Sequence, residues 1–90
     1  MTRQRVTRKY LETLTDQLND VLGRPMASYE LGRINLDYAS CYGGYALREI
    51  DNDKGGETFY WPRWSRVSAR EMEAYLLGQL DLVRLQSWEK

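Results

Sequence analysis

Apolar residues near the start of the chain recur at the 3.6-residue spacing of an amphipathic helix. This spacing predicts a helix from about Thr2 to Leu22. Gly23 follows the last apolar residue and Pro25 comes two positions later, a combination that usually ends a helix. The residues on the apolar side are Val6, Tyr10, Leu11, Leu14, Leu18, Val21 and Leu22.

The apolar spacing changes to two from about residue 29, which predicts a strand with one buried face. The apolar positions of this strand are Ile34, Leu36 and Tyr38. Gly43-Gly44 predicts a turn into a second strand at 45–50. A further turn at 52–56 leads into a short third strand at 58–61. These segments predict a three-stranded antiparallel meander.

The final helix has a clear start signal, because Ser68 and Glu71 have the spacing of a capping box. Val67 and Met72 are spaced for a hydrophobic staple across the same start. The apolar side of this helix contains Met72, Tyr75, Leu76, Leu80, Leu82 and Val83. We therefore expect a single α+β domain over residues 1–90, in the order α-β-β-β-α, with both helices packed on one face of the sheet.

The charge balance restricts the classes of partner. Thirteen basic and thirteen acidic residues give a net charge of zero, which argues against bulk binding to nucleic acid. Cys41 is the only cysteine, so there is no disulfide framework, as is usual in a reducing compartment. The first residues lack the apolar segment of a signal peptide, and no stretch reaches the roughly 20 apolar residues of a membrane span. We expect a cytoplasmic protein with no membrane partner.

Enzymatic chemistry has little support in the sequence, which contains no histidine. A lone Cys41 cannot form a Cys/His pair or a thiolate metal cage, and phosphate-binding glycine loops are absent. The segment 51–57 resembles the start of a calcium loop, but Pro62 stands where that loop needs a glutamate. The sequence predicts a non-enzymatic protein without a metal or cofactor.

The segment before the final helix combines aromatic and basic residues. Cations near a helix N-terminus oppose the helix dipole by roughly 0.3–1 kcal/mol each, so Arg66 and Arg70 favour a binding role. The candidate partner- or ligand-binding residues are Tyr42, Tyr60, Trp61, Arg63, Trp64, Arg66 and Arg70. Trp61 and Trp64 are compatible with either a core-sealing or an exposed position. The capping box already uses amide donors here, which favours a protein surface over a lone anion.

The aromatic residues divide into two groups by position. Seven tyrosines and three tryptophans are too many for the core of a 90-residue domain. Tyr10, Tyr38 and Tyr75 fall on the apolar side of the predicted elements, so we expect them to be buried. The remainder lie mainly in loops and strand ends, where aromatic residues commonly take part in binding.

A row of acidic residues lies on the polar side of the first helix. Glu12, Asp16 and Asp20 are spaced by four, an arrangement that destabilises an isolated helix. The row is compatible with a solvated face, with ion pairs to Arg48 or Arg84, or with an oligomer interface. Leu77, on the far side of the final helix, is a fourth candidate for that interface.

Three segments of the chain resemble small accessory proteins encoded by tailed phages and prophages. They are Gly43-Gly44-Tyr45-Ala46-Leu47, the Gly55-Gly56 turn, and the helix start from Ser68 to Leu76. The resemblance spans roughly residues 31–82. It implies a protein that acts by binding in a bacterial host cell, including by blocking host defence proteins or sequestering nucleotide signals.

We interpret the sequence as a self-associating binding protein that acts on a host or phage protein, including as an inhibitor of host defence. One alternative is a sponge for a small nucleotide, with Trp61 or Trp64 stacked on the base and Arg63, Arg66 and Arg70 on the phosphates. A second alternative is a nucleic-acid-binding protein that uses the same residues.

Overall fold

The computed structural model describes residues 6–27, 30–39, 43–52, 56–62 and 65–88. Two helices flank three strands along the chain, in the predicted α-β-β-β-α order. The elements are α1 (Arg8–Val21), β1 (Ile34–Ala39), β2 (Gly44–Ile50), β3 (Glu57–Trp61) and α2 (Ala69–Trp88). The strands form one antiparallel sheet in the order β1-β2-β3. The predicted α+β fold is confirmed.

The core lies between the two helices and one face of the sheet. Ile34 and Leu47 come from β1 and β2, and both are fully buried. Leu36 is the direct cross-strand partner of Leu47 and packs against the same cluster. The helices contribute the remaining buried members, which are Leu11, Leu14, Leu18, Met72, Leu76 and Leu80. Alternate strand residues point to opposite faces of the sheet, and both helices pack on the face of these apolar residues. The opposite face of the sheet is therefore not covered by a helix.

Helix α1 begins later than the sequence predicts. Val6 and Thr7 precede the helix, and residues 1–5 lie outside the described part of the chain. Thr7 has an extended backbone and its hydroxyl accepts a hydrogen bond from the Tyr10 N–H at 3.2 Å. This is N-cap geometry. Thr7, which the sequence placed inside the helix, is therefore the cap residue at which the helix begins.

Four residues assigned to apolar sides are more exposed than predicted: Tyr10, Leu22, Tyr38 and Leu82. Tyr10 and Tyr38 are 40% and 41% exposed, so the prediction that both are buried is wrong. Tyrosine is amphipathic, so an exposed position lets each side chain keep its hydroxyl in water. Leu82 is 53% exposed because the buried side of α2 follows Met72 and Leu80 instead.

Gly44 belongs to β2 rather than to the predicted turn. Its φ of 122° suits glycine, and a Cβ there would lie 2.5 Å from the Val67 carbonyl oxygen. That close approach allows Tyr45 and Val67 to exchange two backbone hydrogen bonds, at 2.8 and 2.9 Å. The segment between β3 and α2 is thereby fixed against β2, which determines where Arg66 lies.

The start of α2 agrees with the sequence. The Ser68 hydroxyl accepts from the Glu71 N–H at 3.2 Å, and the Glu71 carboxylate accepts from the Ser68 N–H at 3.1 Å. These two bonds confirm the capping box. The Ser68 backbone N–H, and secondarily its hydroxyl, lower the pKa of the Glu71 carboxyl below its ordinary value, because hydrogen bonds to the carboxylate favour its charged form. Within the described ranges, neither helix is sufficiently long and apolar to cross a membrane.

Candidate binding surface

The helix-free face of the sheet carries a cluster of charged and aromatic side chains. Alternation along β1 and β2 turns Asp37 and Arg48 away from Leu36 and Leu47 and onto this face. Phe59 of β3 is the cross-strand partner of Arg48. Arg66 reaches the same face from the segment before α2. With Glu57, these side chains form what we call the sheet-face cluster: Asp37, Arg48, Glu57, Phe59 and Arg66.

Arg66 is held firmly within this cluster. Its Nη2 donates to Asp37 Oδ2 at 2.6 Å. Its Nη1 lies 3.4 Å from the Asp37 carbonyl oxygen and 3.3 Å from that of Gly44. The side chain is only 12% exposed. Such a charge-assisted pair, supported by two carbonyl contacts, fixes the orientation of the guanidinium plane.

Arg48 lies between two carboxylates. Its Nη1 donates to Glu57 Oε2 at 3.3 Å, and its Nε lies 3.9 Å from Asp37 Oδ2. The Nε atom is buried and has no hydrogen-bond partner within the described part of the chain. Asp37 therefore interacts with both arginines, closely with Arg66 and at ion-pair distance with Arg48.

Phe59 is the exposed apolar centre of the cluster. The Arg48 Cζ lies 4.8 Å from the centroid of its ring, and the Arg66 Cζ lies 5.8 Å away. Both distances fall within the range of cation–π attraction. The Phe59 side chain remains 40% exposed. The result is an accessible aromatic ring whose two cationic neighbours are themselves fixed by carboxylates.

The formal charges of the cluster cancel. Arg48 and Arg66 contribute two positive charges, and Asp37 and Glu57 contribute two negative ones. The surface consequently offers aromatic and hydrogen-bonding groups without a net positive charge. Phosphate groups gain less from such a surface than from one whose arginines are unpaired.

Two of the candidate aromatic residues contribute to the core instead. The rings of Trp61 and Tyr75 are stacked, with centroids 3.8 Å apart and planes 9° from parallel. Burial of the hydroxyl, and secondarily the neighbouring Tyr60, raise the pKa of Tyr75. Tyr60 is half-buried, and the Arg24 Cζ lies 5.4 Å from its ring centroid. The structure thus places Trp61 in the core-sealing position that the sequence left open.

The remaining candidates are not brought into one site. Arg70 is exposed on the first turn of α2 and makes no ion pair within the described ranges. Arg63, Trp64 and Tyr42 lie outside the described residues, as does Cys41. Among the described candidates, only Arg66 belongs to the sheet-face cluster.

The acidic row on α1 is paired in a way that the sequence did not predict. Glu12 pairs with Arg8 at 3.2 Å, one helical turn earlier. Asp16 pairs at 2.6 Å with Arg33, whose side chain is only 8% exposed. Of the alternatives left open by the sequence, ion pairs of the row with Arg48 or Arg84 are not formed within the described residues, and Arg48 lies on the helix-free face with Asp37. Asp20, the last member, is exposed.

Two cavities lined by described residues border α1, and neither lies within the sheet-face cluster. A polar cavity of about 240 Å³ is lined by Glu12, Thr15, Asp16, Arg33, Asn35 and Leu36. A more open cavity of about 360 Å³ is lined by Val6, Thr7, Arg8, Tyr38 and Tyr45. The rings of Tyr38 and Tyr45, 4.7 Å apart, form one wall of the second cavity.

Sequence reasoning missed Asp37 and Phe59 as site residues, and it considered Arg48 only as one possible partner of the acidic row. The available signal was alternation: Asp37 and Arg48 occupy polar positions of strands whose other face is apolar. The register that brings Arg48 opposite Phe59 includes an irregularity after Leu47, which no local pattern in the sequence reveals.

Comparison with known proteins adds no relative. A scan against protein-family models and searches of curated proteins and of solved structures find no match for this chain. No residue role is therefore transferred to it from another protein.

Proposed function

We propose that this chain is a non-enzymatic binding protein that recognises another protein through the sheet-face cluster. The observation that carries the proposal is the accessible ring of Phe59 within cation–π distance of the guanidinium groups of both Arg48 and Arg66. Aromatic residues and arginine are enriched in protein interfaces, and lysine is depleted. Here the only described strand face without a helix presents these two residue types together.

Preorganisation supports this proposal. Asp37 and Glu57 already hold the two guanidinium groups, so an incoming partner does not have to immobilise long arginine side chains. Ordering one such side chain costs about 0.5–1.5 kcal/mol on binding. A partner that covers Phe59 therefore gains from burying the ring with little loss of conformational entropy.

The charge balance favours a protein partner over a phosphate-rich one. The arginines are neutralised, and the chain as a whole has no net charge. A complementary surface would place an apolar or aromatic side chain over Phe59 and uncharged acceptors near the guanidinium edges. The resemblance to phage accessory proteins suggests a host protein, including a defence protein, as the partner that the chain inhibits.

The test begins with affinity capture from bacterial lysate and continues with binary titration of the identified partner. Phe59→Ala should weaken the binary complex at least tenfold, about 1.4 kcal/mol. Leu31→Ala is the matched control, because Leu31 is 59% exposed and outside the cluster. Equal affinity of wild type and Phe59→Ala, with both folded, would count against the sheet-face cluster as the interface.

A small nucleotide is the second candidate ligand, because a base can stack on the exposed Phe59 ring, which has two arginines beside it. Thermal-shift measurements with linear and cyclic nucleotides test it, since a ligand that binds only the folded state raises the melting temperature. If a nucleotide raises the melting temperature of wild type but not that of Phe59→Ala, the ligand of the sheet-face cluster is a nucleotide and not a protein. Nucleic-acid binding would instead show a gel shift that weakens steeply with salt.

A further inference from the structure

Strand β3 forms an edge of the sheet, since the order of the described strands is β1-β2-β3. Its first three residues, Glu57, Thr58 and Phe59, are all exposed. Successive side chains of a strand point to opposite faces of the sheet. Exposure of all three therefore means that this stretch is accessible from both faces.

The other edge of the sheet, β1, lies beside α1. Near one end of the strand, the Asn19 side chain binds the backbone N–H and carbonyl of Ile34. Near the other end, the Arg8 Cζ lies 5.9 Å from the ring centroid of Tyr38. Because Arg8 begins α1 and Asn19 is in its last turns, the helix follows β1 along its length. The fold thus covers one edge of the sheet and leaves the stretch 57–59 of the other edge open.

The backbone groups of Glu57 and Phe59 point toward the open edge. In an antiparallel ladder the N–H and carbonyl of one residue point to the same side, and that side alternates along the strand. The Asp51 N–H donates to the Gly56 carbonyl, so Gly56 faces β2. The regular register that follows turns Glu57 away from β2, Thr58 toward it and Phe59 away again. No described residue outside the ladder hydrogen-bonds to the backbone of Glu57 or Phe59.

We propose that the protein partner binds as an extended segment that adds antiparallel to β3 as a fourth strand. This inference rests on the proposed function and specifies the form of the partner at the same surface. One residue of the segment exchanges two hydrogen bonds with Phe59, and the residue two positions later does the same with Glu57. Such strand addition takes affinity from main-chain bonds and specificity from alternate side chains.

The sheet-face cluster determines which side chains the segment needs. The two residues opposite Phe59 and Glu57 lie on the same face as the cluster. Arg48 occupies the β2 side of Phe59, so an aromatic residue of the segment can pack against the other side. A basic residue opposite Glu57 meets a partly exposed carboxylate. A β-branched residue between them suits the position opposite Thr58.

The end of β3 limits the segment to a short one. The register passes from Phe59 opposite Arg48 to Trp61 opposite Leu47, so a bulge at Tyr60 ends the regular ladder. A bulge at an edge also discourages pairing along the whole strand. A second copy of β3 does not meet the chemical requirement, because this strand contains no basic residue.

Titration of the isotope-labelled full chain with a synthetic peptide tests strand addition without the natural partner. The probe is the capped heptapeptide Thr-Thr-Tyr-Val-Lys-Thr-Thr, with its tyrosine opposite Phe59 and its lysine opposite Glu57. The amide resonances of Glu57 and Phe59 should shift, and both amides should exchange more slowly with solvent. Absence of these changes up to a peptide concentration of about 1 mM would overturn the proposal.

N-methylation of the peptide identifies a main-chain contact. Methylation of the tyrosine nitrogen removes the donor to the Phe59 carbonyl and should raise the dissociation constant at least tenfold. Methylation of the valine nitrogen is the matched control, because alternation points this nitrogen away from β3. It should leave the dissociation constant nearly unchanged. Equal losses with the two methylated peptides would overturn strand addition.

Glu57→Pro tests the same contact from the side of the protein. Proline removes the outward N–H and is tolerated at the first residue of an edge strand. Glu57→Ala is the matched control, since it loses the same side chain and keeps the N–H. Glu57→Pro should bind the peptide at least tenfold more weakly than Glu57→Ala, with both folded by circular dichroism. Equal affinities would overturn the contact, and the methylated peptides decide the question in wild type if Glu57→Pro does not fold.

Competition separates this inference from the proposed function. The peptide should displace the captured partner from the wild-type chain. If Phe59→Ala weakens the partner complex but the peptide does not displace the partner, the sheet-face cluster stands and strand addition is overturned. If the peptide binds but no partner complex depends on Phe59, the proposed function fails and the open edge stands only as a peptide-binding site.

Discussion

The side chain of Asn19 binds both backbone polar groups of Ile34. Its Nδ2 donates to the Ile34 carbonyl at 2.8 Å, and its Oδ1 accepts from the Ile34 N–H at 2.9 Å. Strand β1 is at the edge of the sheet, so these groups have no strand partner on that side. Asn19 is fully buried and reproduces the hydrogen bonds that another strand would make. It thereby protects one end of the edge strand from pairing with another chain.

Replacing Asn19 with leucine tests this role. The substitution keeps the side-chain size but leaves a buried N–H and a buried carbonyl of Ile34 without partners, at a cost of about 2–4 kcal/mol in unfolding free energy. Urea denaturation monitored by circular dichroism measures this loss. Gln17→Leu on the exposed side of α1 is the control and should change stability by less than about 0.5 kcal/mol. Equal stability of the two variants would contradict the role assigned to Asn19.

Contacts between close neighbours in sequence could be predicted, whereas contacts across the fold could not. Ser68 and Glu71 are three residues apart, and the capping box depends only on that spacing. Asp37 and Arg66 are 29 positions apart, and their pairing depends on the strand register and on how the segment before α2 crosses β2. The pattern of apolar and polar residues around Asp37 or around Arg66 reveals neither the strand register nor this crossing.

The errors in predicted burial have a related cause. Periodicity identifies which side of an element a residue occupies, but not how far the covering helices extend over it. Tyr38 lies on the same face as Ile34, yet it is near the end of β1, beyond the best-covered part of the sheet. Trp61 shows the opposite case. It is the last residue of β3, yet its ring stacks on Tyr75 at the edge of the core.

The Asp37–Arg66 pair predicts which of two substitutions lowers the unfolding free energy more. Asp37→Asn leaves the nearly buried Arg66 charge without its carboxylate, whereas Arg66→Met removes the buried charge and keeps an apolar stem. We therefore expect Asp37→Asn to cost about 1–3 kcal/mol in unfolding free energy and Arg66→Met to cost less. Chemical denaturation of both variants and the double variant measures the order.

The double variant supplies the control for this pair. It should be close in stability to Arg66→Met, because without the Arg66 guanidinium Asp37 keeps only its longer contact, with Arg48 at 3.9 Å. If the two single losses simply add, Asp37 and Arg66 are not coupled in the folded state.

The Trp61–Tyr75 stack predicts that Trp61 matters for stability more than the exposed Phe59. Trp61→Ala removes a half-buried ring that packs against the core, with an expected cost of about 2–4 kcal/mol. Phe59→Ala is the matched control, with an expected cost below about 1 kcal/mol because its ring is 40% exposed. Thermal unfolding measures both variants. A larger loss for Phe59→Ala than for Trp61→Ala would reverse the roles assigned to the two rings.

The Glu71 carboxylate predicts a pH-dependent contribution to stability from the start of α2. The Ser68 backbone N–H, and secondarily its hydroxyl, lower the Glu71 pKa in the folded state. A lowered folded pKa means that the stabilisation is fully present above the ordinary glutamate value of about 4.3 and is lost as the pH falls through the folded pKa. The unfolding free energy of wild type should therefore exceed that of Glu71→Gln by a constant amount near neutral pH. This difference should become smaller as the pH falls into the acid range.

Ser68→Ala separates this effect from the general loss of stability in acid. This variant removes the hydroxyl that bonds to the Glu71 N–H and contributes to the lowered pKa of Glu71. In the Ser68→Ala background, replacing Glu71 with glutamine should produce a smaller pH-dependent difference than it does in wild type, because the carboxylate is held less firmly. Urea titrations of the four proteins from neutral pH to about pH 3 cover the window in which the Glu71 carboxyl takes up its proton. An advantage of wild type over Glu71→Gln that stays the same throughout would show that the capping box does not depend on the Glu71 charge.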